Sequence, residues 1–146
     1  MSDTAIDNQY LLLYVTAPDG EPWSEADDDI SDWIAVGESR GSLVVGERIL
    51  GMPEARLVSK RAGSVSVTNG PFAEFTEWFA GFDLVNAADL DDAVEIASRH
   101  PAARYGRALV LPLMSPAAST EMLEATRRAR GLGPIHANDR TIMADD

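Results

Sequence analysis

The sequence predicts an α+β domain in which one antiparallel sheet carries both of its helices on one face. Three observations lead there. Short apolar runs bounded by turn residues are interleaved with two stretches of helical period. Residues 77–86 alternate with period two, and the runs 55–60 and 64–68 flank a Gly-containing turn. The order is strand, helix, strand, hairpin, helix, strand, a split β-α-β arrangement. At 146 residues, with 45% hydrophobic and 25% charged side chains, the chain has the size and composition of one globular core.

The elements come in order. Residues 10–16 are a compact run of aromatic, Leu and Val side chains stopped by Pro18, Asp19 and Gly20, expected as a central strand buried on both faces. From Ser24 the period becomes helical: Ala26, Ile30, Trp33, Ile34 and Gly37 fall in step, with Ser24 as N-cap and Gly41 as the stop. Residues 42–45 read as a second strand ending at Gly46, and Gly51 with Pro53 interrupts any regular structure beyond it. The hairpin is expected to turn through three residues, Arg61, Ala62 and Gly63. After the turn cluster Asn69, Gly70, Pro71, the strand 77–86 sets Trp78, Ala80, Phe82 and Leu84 on one side. Asp89 caps a second helix with Leu90, Ala93, Val94 and Ala97 on one face, closed by His100 and Pro101. Residues 108–113 form the last strand. Ser119 or Thr120 is expected to cap a third helix running to Arg130, followed by an irregular tail, so residues 1–113 are the α+β domain and 114–146 a C-terminal helical extension.

Charge narrows the partners. Twelve basic against twenty-four acidic residues give a net charge of −12. Asp19 to Asp32 holds seven acids and no Lys or Arg. Such a field repels phosphate backbones and anionic lipid surfaces, so neither nucleic acid nor membrane is expected as a partner. The acidic run reads as a solvated helix start and lacks the spaced ligands and central Gly of a calcium loop. Cysteine is absent, which removes disulfides and thiolate chemistry. The N-terminal residues show neither a basic segment nor an apolar one, and no apolar run approaches the length of a membrane span, so a cytoplasmic protein is expected. No phosphate loop, HExxH, G-x-S-x-G elbow or His-carboxylate cluster occurs, so no cofactor and no metal are indicated.

Two motifs in order, Thr68-Asn69-Gly70-Pro71-Phe72-Ala73-Glu74 with Glu77, Gly81 and Phe82, then Pro101-Ala102-Ala103-Arg104-Tyr105-Gly106, resemble the DGPF subgroup of the YCII-related family. Gly46, Glu47 and Leu50, and the ending Pro112-Leu113, match weaker features, and the resemblance spans residues 10–113. It implies a ferredoxin-like fold of the dimeric α+β barrel type, a homodimer formed through the sheet, and a largely unassigned function, with a regulatory link suggested by neighbouring sigma factors. This chain has Asn69 where the subgroup's namesake Asp stands, and Thr76 where a Lys is common. In smaller relatives a His with an Asp is the proposed acid-base pair. Here histidine occurs only at 100 and 136, and no equivalent His lies early in the chain.

Each candidate residue has two readings. Asn69, Gly70, Pro71 and Phe72, with Phe82, are the candidate ligand-binding set, because a Gly-Pro turn with an aromatic beside a sheet lets a small molecule approach the backbone; the same turn serves structure alone if Asn69 bonds its own backbone. His100 is a candidate base or a cap for the last carbonyls of its helix. Glu77 is a general acid if buried among Trp78, Phe79 and Phe82, and a strand-edge charge if it faces water. Glu47 is a third proton-carrier candidate, and His136 lies in the tail. Two functions remain open: a small-molecule-binding or regulatory module, favoured by the missing Asp and the scarcity of His, and a small enzyme acting on an organic substrate by acid-base chemistry.

Overall fold

The computed structural model describes residues 8–133. It divides into two units, Met1–Leu113 and Met114–Asp146. In the first, β1 (Gln9–Thr16) runs down the middle of a four-stranded antiparallel sheet and is followed by α1 (Ile30–Arg40) and β2 (Leu43–Arg48). A hairpin of β3 (Arg56–Arg61) and β4 (Ser64–Asn69) comes next, then β5 (Phe79–Asn86), α2 (Leu90–Ser98), a single turn α3 (Ala102–Tyr105) and β6 (Gly106–Pro112). The strand order is β2-β5-β1-β6, with every neighbouring pair antiparallel. The α+β class with an antiparallel sheet is as the sequence predicts.

Alternation decides what the sheet buries. Tyr10, Leu12 and Tyr14 on β1 and Val85 on β5 pack with Trp33 of α1 and with Ala93 and Ala97 of α2. Leu12 and Val85 are wholly buried. Small residues on α2 let that helix lie close to the strands. The other face of β1 is only half-buried, so β1 is central but not buried on both faces. On the outer face of β6, Leu109 and Leu111 are exposed by 46 and 37%, and Leu113 just past its end by 40%.

Several boundaries differ from expectation. Ser24 opens only a 3-10 turn, Glu25–Asp27, and makes no cap bond. Asp28 then leaves the helical path, and α1 starts at Ile30. Gly41, in the left-handed region at φ 71°, ends that helix as expected. The hairpin loop has two residues rather than three: Ala62 and Gly63 both take positive φ, 52° and 78°, the mirror-image turn whose twist matches paired strands. The hairpin forms its own two-stranded sheet, so the strands do not all join one sheet. On β5 the buried face is Gly81, Asp83 and Val85, opposite to Ala80, Phe82 and Leu84. On α2, Leu90 and Val94 are exposed while Ala93 and Ala97 face the core.

The second unit holds α4 (Pro116–Ala129). Its N-cap is Ser115, whose hydroxyl accepts the Ala118 N–H at 3.1 Å, and not Ser119 or Thr120. Ser followed by Pro at the first helical position is a strong start signal. The tail from residue 134, with His136, lies outside the described residues.

Candidate functional site

The core face of the sheet carries one buried acid, Asp83, in the middle of β5. The register sets it between Leu12 on β1 and Gly46 on β2. Tyr14, one rung along, donates its hydroxyl to Asp83 Oδ2 at 2.7 Å. Asp83 Oδ1 fills the space where a side chain at Gly46 would stand: a Cβ there would overlap it. Among the described residues Oδ1 accepts no hydrogen bond from protein, which leaves it available to a ligand.

His100 reaches this carboxyl from the end of α2. Its N–H bonds to Ala97 O at 3.1 Å, and the turn into Pro101 carries the ring over the sheet. The ring stacks on Tyr14 with centroids 4.0 Å apart and meets Trp33 edge-on at 4.7 Å. Trp33 is fixed by its own Nε1–H, which donates to Ile96 O at 2.9 Å. His100 Nδ1 accepts the Ala102 N–H at 3.0 Å, so the neutral ring carries its proton on Nε2. Nε2 lies 3.5 Å from Asp83 Oδ2.

Burial sets the protonation of the cluster. It lowers the imidazole to about 4, although Asp28 and Asp29 pull it upward, so near neutrality the ring is uncharged and its contact with Asp83 is not an ion pair. Burial raises the Asp83 carboxyl above the ordinary range, opposed by the hydrogen bond from Tyr14. Tyr14 is pushed up by burial, then by its bond to Asp83 and that group's charge, and stays a neutral donor. A carboxyl that burial raises, with a neutral donor on one of its oxygens, is chemically suited to accept or return a proton.

The cluster opens on a cleft of about 650 Å³, with Ile30, Trp33 and Ile34 from α1, Trp23 from the preceding loop, and Tyr105 on its walls. That size suits a small organic ligand. Among the described residues no group of His and carboxylates is placed to hold a metal ion.

The structure brings one of the three sequence candidates for proton transfer to this centre, His100. Its ring does not cap the last carbonyls of its helix: Nδ1 accepts the Ala102 N–H beyond the turn, and its other nitrogen faces Asp83. Glu47 lies at the rim, paired with Phe82, and the register puts both on the sheet face opposite Asp83. Glu77 is a half-buried charge before β5, 3.2 Å from Arg107 Nη1, and does not line the cleft. Asn69 ends β4 opposite Arg56, and Gly70, joined to Pro71 by a cis bond, donates its N–H to Ala55 O at 3.0 Å. Phe72 is buried against Phe75 and Trp78, and its N–H points at Met52 Sδ, 3.1 Å away. The segment 69–72 thus closes a turn away from the cleft, while Phe82 is the one member of the proposed binding set beside it.

Sequence reasoning missed Asp83 and Tyr14. The signal was present: Asp83 is an ionisable residue inside the most regularly alternating strand. It went unread because the large side chains at 78, 82 and 84 suggested the wrong core face.

Fold and site together define a small α+β protein with a buried carboxyl, tyrosine and histidine at the floor of an aromatic cleft. The chain belongs to the YCII-related domain family, which matches residues 9–115. It is also 34% identical over 92 residues, covering 60% of this chain and 74% of the other, to an uncharacterized protein of Rhizobium meliloti (strain 1021).

Proposed function

We propose that this protein is a small enzyme that moves a proton on a small organic substrate, with Asp83 as the proton carrier. The observation that carries the reading is the geometry at Asp83. Its Oδ2 is held by Tyr14 at 2.7 Å and faced by the uncharged His100, while Oδ1 is left open over Gly46. Oδ1 takes a proton from a C–H or O–H of the substrate, whose electron pair stays on the substrate, and the same carboxyl returns the proton elsewhere. Tyr14 and His100 position the carboxyl and keep a second charge away from it. Burying such a group beside an uncharged ring destabilises the fold, so its presence in the cleft fits a group kept for its chemistry.

Two finer readings accompany this. The strand order β2-β5-β1-β6 with both longer helices of the first unit on one face supports a ferredoxin-like sheet, and the motif around Gly70-Pro71-Phe72 supports the DGPF subgroup. The exposed Leu109, Leu111 and Leu113 support a homodimer of the barrel type through the open sheet face, in keeping with an acidic cytoplasmic protein. Light scattering would give the dimer's mass, and a monomer would count against it.

The test of catalysis is hydrogen-deuterium exchange in heavy water. Mixtures of small carbonyl compounds and organic acids, followed by proton NMR, should show exchange at one C–H position with the native protein and none with Asp83→Asn. In parallel, the carbon-13 signal of the Asp83 carboxyl should titrate above the ordinary range for an aspartate. Exchange that persists in Asp83→Asn, or an Asp83 midpoint within that range, would sink the reading.

A further inference from the structure

We infer that Arg48 holds the anionic group of the cleft's ligand, which makes the substrate a small organic acid; the inference rests on reading Asp83 as the proton carrier. Residues of two successive core-face rungs of the sheet, separated by the outward-facing rung of Glu47, Phe82 and Leu13, line the floor of the cleft. One runs Arg48, Gly81, Tyr14, and the next runs Gly46, Asp83, Leu12. Side chains paired across antiparallel strands share a face, so Arg48 stands on the same side as Tyr14 and Asp83. Arg48 and Asp83 are diagonal neighbours, with Cα atoms roughly 7–8 Å apart. The two remaining corners of that square are Gly46, whose Cβ position is taken by Asp83 Oδ1 itself, and Gly81, so no other side chain stands between the guanidinium and the carboxyl. The result is a patch of bare backbone at Gly81 flanked by a cation and a proton carrier.

The charges argue for the sign of the ligand. Among the described residues Arg48 has no ion-pair or hydrogen-bond partner, in a chain with twice as many acids as bases. Among the described residues no acid lining the cleft forms an ion pair with Arg48. Asp28 accepts the Trp23 Nε1–H at 2.8 Å, Asp83 accepts from Tyr14, and Glu47 pairs with Phe82 on the other face. A guanidinium with its donors open matches a carboxylate with two parallel hydrogen bonds, which fixes the orientation of the bound acid as well as its charge. A carboxylate on Arg48 sets the next carbons of the substrate over Gly81, beside Asp83 Oδ1. The aromatic walls at Trp23, Trp33 and Tyr105 suit an apolar body behind the acid group.

The test is a set of amide NMR titrations of the full chain with benzoate, benzamide and benzylamine, run on the native protein, Arg48→Gln and Asp83→Asn. Benzoate should shift the amides of Gly46 and Gly81 in the native protein. Its affinity should fall about tenfold or more in Arg48→Gln, the loss expected for a charge-assisted contact. In Asp83→Asn, where a nearby negative charge is gone, benzoate should bind no more weakly. Benzamide and benzylamine should bind more weakly than benzoate. The inference is overturned if benzoate binds Arg48→Gln as tightly as the native protein, if benzylamine is preferred, or if none of the three shifts these amides. The Asp83 exchange assay stands apart from these outcomes. Benzoate bound by Arg48 with no proton exchange would reject the catalytic reading alone, and exchange without dependence on Arg48 would reject the anion site alone.

Discussion

Acidification should expose the cost of keeping His100 uncharged. At about pH 7.5 the ring is neutral in both folded and unfolded chains, so it adds no pH dependence. Below the ordinary value of 6.5 the unfolded chain takes up a proton that the folded ring refuses until about 4. The unfolded state then binds more protons, so stability is present above 6.5 and lost as pH falls toward about 4. A displacement of that size is worth at most ~3 kcal/mol, and residual solvent contact reduces the expected loss to about 2 kcal/mol. Asp83 works in the opposite sense: its raised value contributes stability at low pH that fades as pH rises, so it partly offsets the His100 loss in acid. Tyr14 stays neutral throughout, and Asp28 and Asp29 draw the proton toward the ring. The assay is urea unfolding of the native protein and His100→Gln at about pH 7.5, 6 and 4.5, where the surface carboxyls common to both cancel in the difference. The native protein should lose about 2 kcal/mol more than the variant across that interval. Equal losses would show that the ring is charged in the folded state, and the description of the cluster would fail.

Three further outcomes are expected. Gly46→Ala puts a Cβ into Asp83 Oδ1, so the carboxyl must rotate away from Tyr14; the variant should stay folded, lose about 1–3 kcal/mol and lose any proton exchange, read by thermal unfolding and by the exchange assay. Asn69→Asp, at an exposed strand end that does not line the cleft, should change stability by at most about 1 kcal/mol and create no activity; thermal unfolding beside Asn69→Ala checks the first point and metabolite turnover the second. Deleting residues 115–146 should leave the first unit folded, because that unit has a buried cluster of its own, from Tyr10 to Ala97; loss of the cooperative unfolding transition would refute this.

Much of the fold was legible because it rests on local rules. Asp89 caps α2 by accepting the Asp92 N–H at 2.8 Å, Gly41 ends α1, and Pro101 follows α2, each as its residue type dictates. The features that failed depended on distant partners. The start of α1 moved from Ser24 to Ile30, and the cap of α4 moved to Ser115, where Ser precedes Pro at the first helical position. The core face of β5 could be assigned only once Val85 met Leu12 and the α2 alanines. The site suffered the same loss. His100 was visible as a helix-end histidine, but its ring partners Tyr14 and Trp33 lie 86 and 67 residues away along the chain, and no spacing rule links them.

Asp83 is where local preference and tertiary position conflict most sharply, and such conflicts mark function when the fold would be better off without them. The shape of Leu approximates that of Asp, and Phe differs from Tyr by the hydroxyl alone. The double variant Tyr14→Phe, Asp83→Leu therefore removes the buried donor and the buried acid together, leaving neither unpaired and the space beside Gly46 filled. Replacing a buried polar pair by apolar groups of similar volume is commonly neutral or stabilising. His100 loses its contact with Asp83 but keeps the Ala102 N–H on Nδ1, and a side chain still 10% exposed lets Nε2–H find water. The double variant should be at least as stable as the native protein near neutral pH, measured by urea unfolding, while proton exchange is abolished. The single variant Tyr14→Phe, which strips the carboxyl of its donor, should instead lose about 1–2 kcal/mol. If the double variant is destabilised by more than about 2 kcal/mol, the carboxyl is a structural element of the sheet and the case for its being retained for chemistry collapses.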